Sequence, residues 1–184
     1  MGTFEPFTNV VDILTSQTIL AHRRCPNRAC YAHVFVIWNN REGRLIASFP
    51  AERIDFDATD IPTEIIATFE EAITCHSVGT YRAAAIMVRR TLEELCRERG
   101  ATGATLKDRI KSLSAKVIMP KELIEALDDL RLLGNDAAHV ESQEYNTIGP
   151  AEVETGIAVT KEVLKAVFQY GALLKQLRAL KKTP

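Results

Sequence analysis

The spacing of apolar residues changes near residue 60 and divides the chain into two parts. In the first part, residues 18–21, 33–38 and 44–49 are rich in β-branched and aromatic side chains, which predicts short strands. Residues 39–43, Asn-Asn-Arg-Glu-Gly, are typical of a turn between the last two strands. We therefore expect a small antiparallel sheet of two or three strands. Residues 1–17 fit a short helix or an arm with four apolar positions: Val10, Val11, Ile13 and Leu14.

From residue 62 onwards, apolar residues repeat every three to four positions, the period of helices that bury one face. The pattern predicts a mainly α protein, in which residues 61–184 form an antiparallel helical bundle of four to five helices. Residues 1–60 would form an N-terminal arm and a β-hairpin appendage, joined to the bundle by an extended acidic connector. Helix starts are expected at Pro62, Thr80, Thr105 with Asp108 as a capping box, Pro120 and Gly149-Pro150.

Length and composition indicate a sizeable core and no broadly charged surface. The chain has 184 residues, of which 46% are hydrophobic and 26% are charged, and its formal net charge is -1. A broadly basic surface for nucleic acid is therefore excluded, and any anion site must be local. No apolar run approaches the ~20 residues that span a membrane, and residues 1–20 lack the basic start of a signal peptide. We expect a cytoplasmic protein whose four cysteines are thiols or ligands.

The strongest candidate for chemistry is a row of polar residues in the fourth predicted helix. Arg131, Asn135 and His139 are spaced four apart, so on one helix their side chains form a slanting stripe. The guanidinium can hold a phosphate, the amide can orient the ring, and the imidazole can exchange a proton. Together they could cleave RNA without a metal, with the histidine taking the proton of a 2′-hydroxyl. These three are the candidate catalytic residues.

Structural roles are also compatible with the same residues. A single histidine among alanines is often a packed core residue, and Arg131 can pair with Asp128 on the same helix face. Gly134, which costs a helix ~1 kcal/mol relative to alanine, has two interpretations. It either permits the close approach of another helix or marks a break, with Asn135 capping a new turn. In the second case Arg131 would point away from His139.

The segment His22-x-x-Cys25-x-x-x-x-Cys30-x-x-His33 contains four residues of the types that bind zinc. Its Cys-Pro-x-x-x-Cys turn looks like one knuckle of a zinc ribbon, and the two histidines would complete four ligands. A ribbon needs two knuckles, however, and the other two cysteines lie in predicted helices without that spacing. The alternative is a degenerate knuckle or a tight turn with free thiols. We predict neither a metal nor another cofactor.

The second predicted helix carries Arg82, Arg89 and Arg90, which are the candidate nucleic-acid-binding residues. If they project beside the polar row, they would form a patch that faces phosphate groups. The alternative is a solvated helix face on which Arg89 pairs with Glu93 and Arg90 pairs with Glu94. The sequence favours this ion-paired face.

The helical part resembles a bacterial domain of unknown function that occurs alone and fused to type I restriction subunits. The resemblance runs from Ile61 to His139, through TLKDRI and LRLLGNDAAH, and includes the string R-x-x-G-N-x-x-x-H. That domain is similar to the HEPN superfamily of helical domains. Many HEPN members are metal-independent endoribonucleases of toxin, abortive-infection and restriction systems, and they dimerise to bring two Arg-x4-6-His motifs together. Others are non-catalytic binding partners.

Carried over to this chain, the resemblance matches Asn135 and His139 to the second half of the superfamily motif. The usual arginine position directly before the asparagine is Gly134 here, and Arg131 is the nearest arginine upstream. The resemblance therefore favours a HEPN-like binding or regulatory module, a homodimer in a nucleic-acid-linked or defence setting, with RNA or a nucleotide as ligand. The alternatives are a metal-independent endoribonuclease that uses Arg131 and His139, and a scaffold whose N-terminal hairpin binds another protein.

Overall fold

The structure is a computed structural model that describes residues 5–12, 18–25, 30, 32–139, 141, 144–145 and 147–181. The chain divides into two compact units, Met1–Glu52 and Arg53–Pro184. Strands make up the first unit and helices the second, so the predicted fold class, mainly α with a small N-terminal antiparallel sheet, is confirmed. Within the described ranges, every helix is too short or too polar to cross a membrane.

The N-terminal unit is an antiparallel meander of four strands that lie side by side in chain order. The predicted turn lies between the last two strands, where Gly43 has a φ of 62° that glycine adopts without strain. The strands are β1 (Glu5–Asp12), β2 (Thr18–Arg24), β3 (His33–Asn39) and β4 (Arg44–Phe49).

The first strand corrects the prediction of a sheet of two or three strands. Residues 5–12 form β1, where the sequence suggested a short helix or an arm. The pairing of β1 with β2 shifts register between Phe7 and Val11. The segment also contains Pro6 and Asn9, residue types that are depleted in strands, so its composition does not predict one. Ile13 and Leu14 of the predicted arm lie outside the described residues.

The second unit is a helical bundle. The capping box predicted for Thr105 and Asp108 forms at the start of the third helix, and the Asp108 N–H donates to the Thr105 hydroxyl at 3.2 Å. The last two helices and the π-helical turn between them are continuous, so the described residues form five helical rods. The helices are α1 (Thr63–Ser77), α2 (Tyr81–Glu98), α3 (Leu106–Ser114), α4 (Lys121–Ala138), α5 (Pro150–Leu164) and α6 (Tyr170–Ala179), with the π-helical turn at Lys165–Gln169.

The core of the bundle is the apolar side that α1, α2, α4 and α5 share. Phe69, Val88, Leu127 and Ile157, one from each of these helices, are fully buried in a single cluster. Each side chain of this kind contributes about 1.5–3 kcal/mol when it leaves water. Hydrophobic burial therefore fixes the relative positions of the helices that carry the candidate site.

Residues 54–59 form an extended strap that lies on the bundle ahead of α1. The ring of Phe56 meets the ring of Phe69 edge-on, with 4.7 Å between the centroids. Gln169, buried in the π-helical turn, donates to the backbone carbonyls of Asp57 and Thr59, both at 3.0 Å. The strap is thus held by an aromatic contact at one point and by an amide at another.

Candidate functional site

The polar row of α4 lies where this helix packs against α2. Gly134 is buried at the contact, and a Cβ built on it would lie 2.4 Å from the Cβ of Arg89. Two Cβ atoms do not approach so closely, so the two helices meet at this distance because the residue is glycine. Helix α4 continues without interruption from Lys121 to Ala138. The structure therefore supports the first interpretation of Gly134, that it permits the close approach of another helix.

Arg89 joins α2 to α4 at this point. Its Nη1 donates to the Asn135 Oδ1 at 2.7 Å and to the backbone carbonyl of Arg131 at 3.3 Å. Its Nε lies 3.3 Å from the Glu93 Oε1, one turn further along α2. Arg89 is therefore neutralised by a carboxylate and bonded to the polar row. The amide oxygen of Asn135 is engaged in a contact between two helices.

Arg131 forms an ion pair with Asp128, which is the structural alternative to its catalytic role. Its Nε lies 2.6 Å from the Asp128 Oδ1, and only 14% of its side chain is exposed. The hydrogen bond from Arg131 lowers the pKa of Asp128 below its ordinary value. The guanidinium is therefore held along its own helix by the Asp128 carboxylate.

His139 departs from the predicted stripe. Helix α4 ends at Ala138, and His139 follows it with an extended backbone, φ -126° and ψ 123°. Its N–H still donates to the Asn135 carbonyl at 2.9 Å, and the residue is exposed. The expectation of one helical row from Arg131 to His139 was therefore wrong, because the row needs helical backbone at its last residue. The catalytic role of these residues stays a prediction.

The three candidate arginines of α2 have different neighbours. Arg82 is exposed near the start of the helix, and Arg89 lies against α4. Arg90 pairs with Glu94, with 2.9 Å between Nε and Oε1, as the ion-paired alternative predicts. Of the three, Arg89 contacts the polar row, whereas the described contacts of Arg90 are to its own helix. A nucleic-acid-binding role for them stays a prediction.

The histidines of the zinc-like segment lie on neighbouring strands, β2 and β3. The His33 Nδ1 and the His22 Nε2 are 2.7 Å apart, and the two rings are stacked. The backbone N–H of Cys25 donates to the Ala32 carbonyl at 2.8 Å. Residues 26–29 and 31 of the turn lie outside the described residues. The described part of the chain contains no group of three His, Cys, Asp or Glu side chains arranged to hold a metal.

Two cavities of the bundle were not predicted from the sequence. A groove of about 400 Å³ lies between α4 and α5, and Gly156 brings the helices close, since a Cβ there would lie 3.1 Å from Leu133. The groove has an apolar lining that includes Leu130 and Val159. A second cavity of about 540 Å³ lies at the end of α2, where Gly100 and Gly103 are the visible sequence signal. Its charged lining residues are Arg90, Glu93, Glu94, Arg97 and Arg109.

Large apolar side chains are also exposed along the last helix. Four of them, spaced along one side of the helix, form what we call the α6 face: Tyr170, Leu173, Leu177 and Leu180, which are 44% to 81% exposed. Leu174, 52% exposed, lies beside this face. We expected this segment to belong to the helical bundle of residues 61–184, without assigning these four residues to a face. Its exposure could not be read from the pattern, because an apolar stripe looks the same whether it faces a core or solvent.

Comparison with known proteins identifies the family but gives no function. The family model described as a domain of unknown function (DUF4145) matches residues 70–183, which is more than half of the chain. A search of curated proteins and a search of solved structures found no match. The matched range contains α2 to α6, and with them the polar row, both cavities and the α6 face. The chain therefore belongs to the DUF4145 family of domains of unknown function.

Proposed function

We propose that the chain is a HEPN-like helical binding module that acts as a homodimer, with the α6 face as its self-association surface. The observation that carries this proposal is the exposure of Tyr170, Leu173, Leu177 and Leu180 on consecutive turns of one helix. Contiguous exposed apolar side chains are typical of interaction sites. Their spacing of three, four and three residues is that of the a and d positions of a coiled coil.

A second copy of the chain is the occupant that best fits the α6 face. An a/d seam packs against its own equivalent, so two-fold pairing buries the same residues on both partners. In a parallel pair, the flanking g and e positions that meet across the seam hold Gln176 and Lys181, which do not repel each other. Lys175 and Arg178 occupy the outer f and b positions. The seam is about three turns long, which supports weak and reversible association.

The polar row supports a role in binding over a role in catalysis. Cleavage of RNA needs a guanidinium that is free to stabilise charge on the phosphate. Arg131 is paired with Asp128 at 2.6 Å, and Arg89 is bonded to Asn135 at 2.7 Å. We therefore keep the metal-independent endoribonuclease as the second function. The nucleic-acid-linked or defence setting, and an RNA or nucleotide ligand, rest on the resemblance to HEPN domains.

Sedimentation over a wide concentration range tests self-association. The wild-type protein is expected to move from monomer to dimer as concentration rises. Replacing both Leu173 and Leu177 with glutamate places like charges across the seam, and we expect the dimer to weaken at least tenfold, about 1.4 kcal/mol. Lys175→Glu, at an outer position, is the matched control and should leave dimerisation unchanged. A wild-type mass that stays that of a monomer at every concentration would contradict the proposal, as would a dimer that tolerates both glutamates.

Incubation with RNA in the presence of a chelator separates the two functions. We expect single-stranded and structured RNA to remain intact with the wild-type protein, because Arg131 is already neutralised. Arg131→Ala and His139→Ala should give the same result. RNA cleavage by the wild type that is lost in His139→Ala would reject the non-catalytic proposal and establish the endoribonuclease.

A further inference from the structure

The 400 Å³ groove between α4 and α5 has walls of two kinds. The apolar wall comes from both helices, with Leu130 and Leu133 on α4 and Val159 on α5. The polar wall is acidic, and the described lining residues include no lysine, arginine or histidine. The volume lies within the ~300–1,000 Å³ of small-molecule sites. A ligand with an apolar body fits these walls, whereas an anionic group would meet no cation among them.

Asp129 gives the groove an accessible carboxylate. The residue is exposed, and its side chain forms no ion pair or hydrogen bond with another described residue. The Tyr145 hydroxyl, which also belongs to the lining, donates to the Asp129 backbone carbonyl at 3.3 Å. Burial raises the pKa of Tyr145, and the charges of Asp129 and Asp136 raise it further. The Asp129 carboxylate therefore acts on the same part of the groove as the Tyr145 hydroxyl.

Glu152 supplies a second carboxylate to the lining, from the first turn of α5. Its Oε2 accepts a hydrogen bond from the Gly149 N–H at 3.0 Å, which fixes the side chain at the start of the helix. Hydrogen bonds from the backbone N–H groups of Glu152 and Gly149 lower the pKa of this carboxyl, so it is ionised at neutral pH. The groove thus has one acidic residue on each of the two helices that border it.

The surrounding chain adds to this negative charge. Residues 122–154 contain nine Asp or Glu residues and one arginine, whereas the formal net charge of the whole chain is only -1. That arginine, Arg131, is paired with Asp128. A cleft with so much charge of one sign concentrates ions of the opposite sign, and the ring of Tyr145 also attracts a cation to its face. Charge complementarity therefore favours a ligand with more than one positive charge.

We propose that this groove binds an aliphatic diamine or polyamine. The methylene chain would lie against the apolar wall, and one ammonium group would donate to the Asp129 carboxylate. A second ammonium group would lie on the side of Glu152. Hydrogen bonds between an ammonium and a carboxylate are charge-assisted, so the loss of the carboxylate should weaken binding markedly. The proposal does not depend on self-association through the α6 face, because no residue of that face lines the groove.

Calorimetric titration of the full chain tests the site, with diaminobutane and spermidine as probes. We expect diaminobutane to bind at least tenfold more tightly than butanediol, which has the same length and no charge. Butylamine, which has one ammonium group, should bind with an intermediate affinity. A lysine-rich peptide and magnesium chloride are included as competing chemistries.

Two variants and a matched control connect that binding to the groove. Asp129→Asn removes one charge from the lining, and Ala126→Leu places a larger side chain in it; each should weaken diaminobutane binding about tenfold or more. Glu154→Gln removes one charge from an exposed position on α5 outside the lining, and should change the affinity by less than about twofold. Thermal unfolding of each variant verifies that the fold is retained.

The proposal is overturned if neither amine binds, or if butanediol binds as tightly as diaminobutane. It is also overturned if the peptide or magnesium binds and the amines do not. Equal losses of affinity in Asp129→Asn and Glu154→Gln would reject it too, because they would show a general attraction to the acidic surface. Binding that survives both Asp129→Asn and Ala126→Leu would place the amine elsewhere on the protein.

Discussion

Replacing Gly134 with alanine is expected to destabilise the bundle by about 1–3 kcal/mol, the cost of overpacking a well-filled contact. At most helical positions the same change is favourable by up to ~1 kcal/mol. Here the new Cβ would lie 2.4 Å from the Cβ of Arg89. Because both atoms are fixed to the backbone, no change of rotamer relieves the contact. Helices α2 and α4 must separate, and the 2.7 Å bond between Arg89 and Asn135 must lengthen.

Chemical denaturation measures this effect against a matched glycine. A Cβ on Gly171, in α6, would have no atom within 4 Å, so Gly171→Ala is expected to be neutral or stabilising. In an Arg89→Gly background the opposing Cβ is absent, and Gly134→Ala should then cost much less. A Gly134→Ala variant as stable as the wild type would show that α2 and α4 do not meet at this glycine.

Replacing Phe69 with alanine is expected to lower the free energy of unfolding by about 3–5 kcal/mol, the largest effect we anticipate. The ring is fully buried in the centre of the bundle, so the change leaves a cavity that its neighbours fill only partly. It also removes the surface against which the ring of Phe56 packs, at 4.7 Å between centroids. The strap should loosen as the core weakens.

Equilibrium unfolding of Phe69→Ala, Phe56→Ala and the double variant separates these two contributions. Phe56 is partly exposed, so its single change should cost less than that of Phe69. The coupling between the two rings is expected to be about 0.5–1.5 kcal/mol. Phe49→Ala, at a ring that is 74% exposed, should change stability by less than about 0.5 kcal/mol. A loss of under 2 kcal/mol for Phe69→Ala would contradict the central position of this ring.

The helical elements were predictable because their signals are local. The capping box of Thr105 and Asp108 and the proline before α4 involve residues within one turn of each other. Strand β1 was missed because its residues include Pro6 and Asn9, which are depleted in strands, and because its pairing with β2 is not visible in the sequence. The end of α4 was also missed, since a spacing of four is the same whether or not the last residue is helical. His139 illustrates that periodicity predicts faces better than it predicts ends.

The candidate site was less predictable because its contacts are distant in sequence. Gly134 left two interpretations open, and the residue that decides between them is Arg89, which lies on another helix. Glu94 was correctly expected to pair with Arg90, because residues four apart on a helix lie side by side. That spacing accounts for one carboxylate oxygen of Glu94 and predicts nothing about the other, which is buried. The burial of the second oxygen depends on the tertiary packing around the end of α2. Such information enters only with the three-dimensional fold.

The strap also determines where this family domain begins in the folded chain. The family match starts at residue 70, within α1, whereas the compact helical unit starts at Arg53. A fragment cut at the family boundary would lack Phe56 and Phe69 and would leave the buried amide of Gln169 without its two carbonyl acceptors. Recombinant versions of the helical domain should therefore retain the chain from Arg53 onwards.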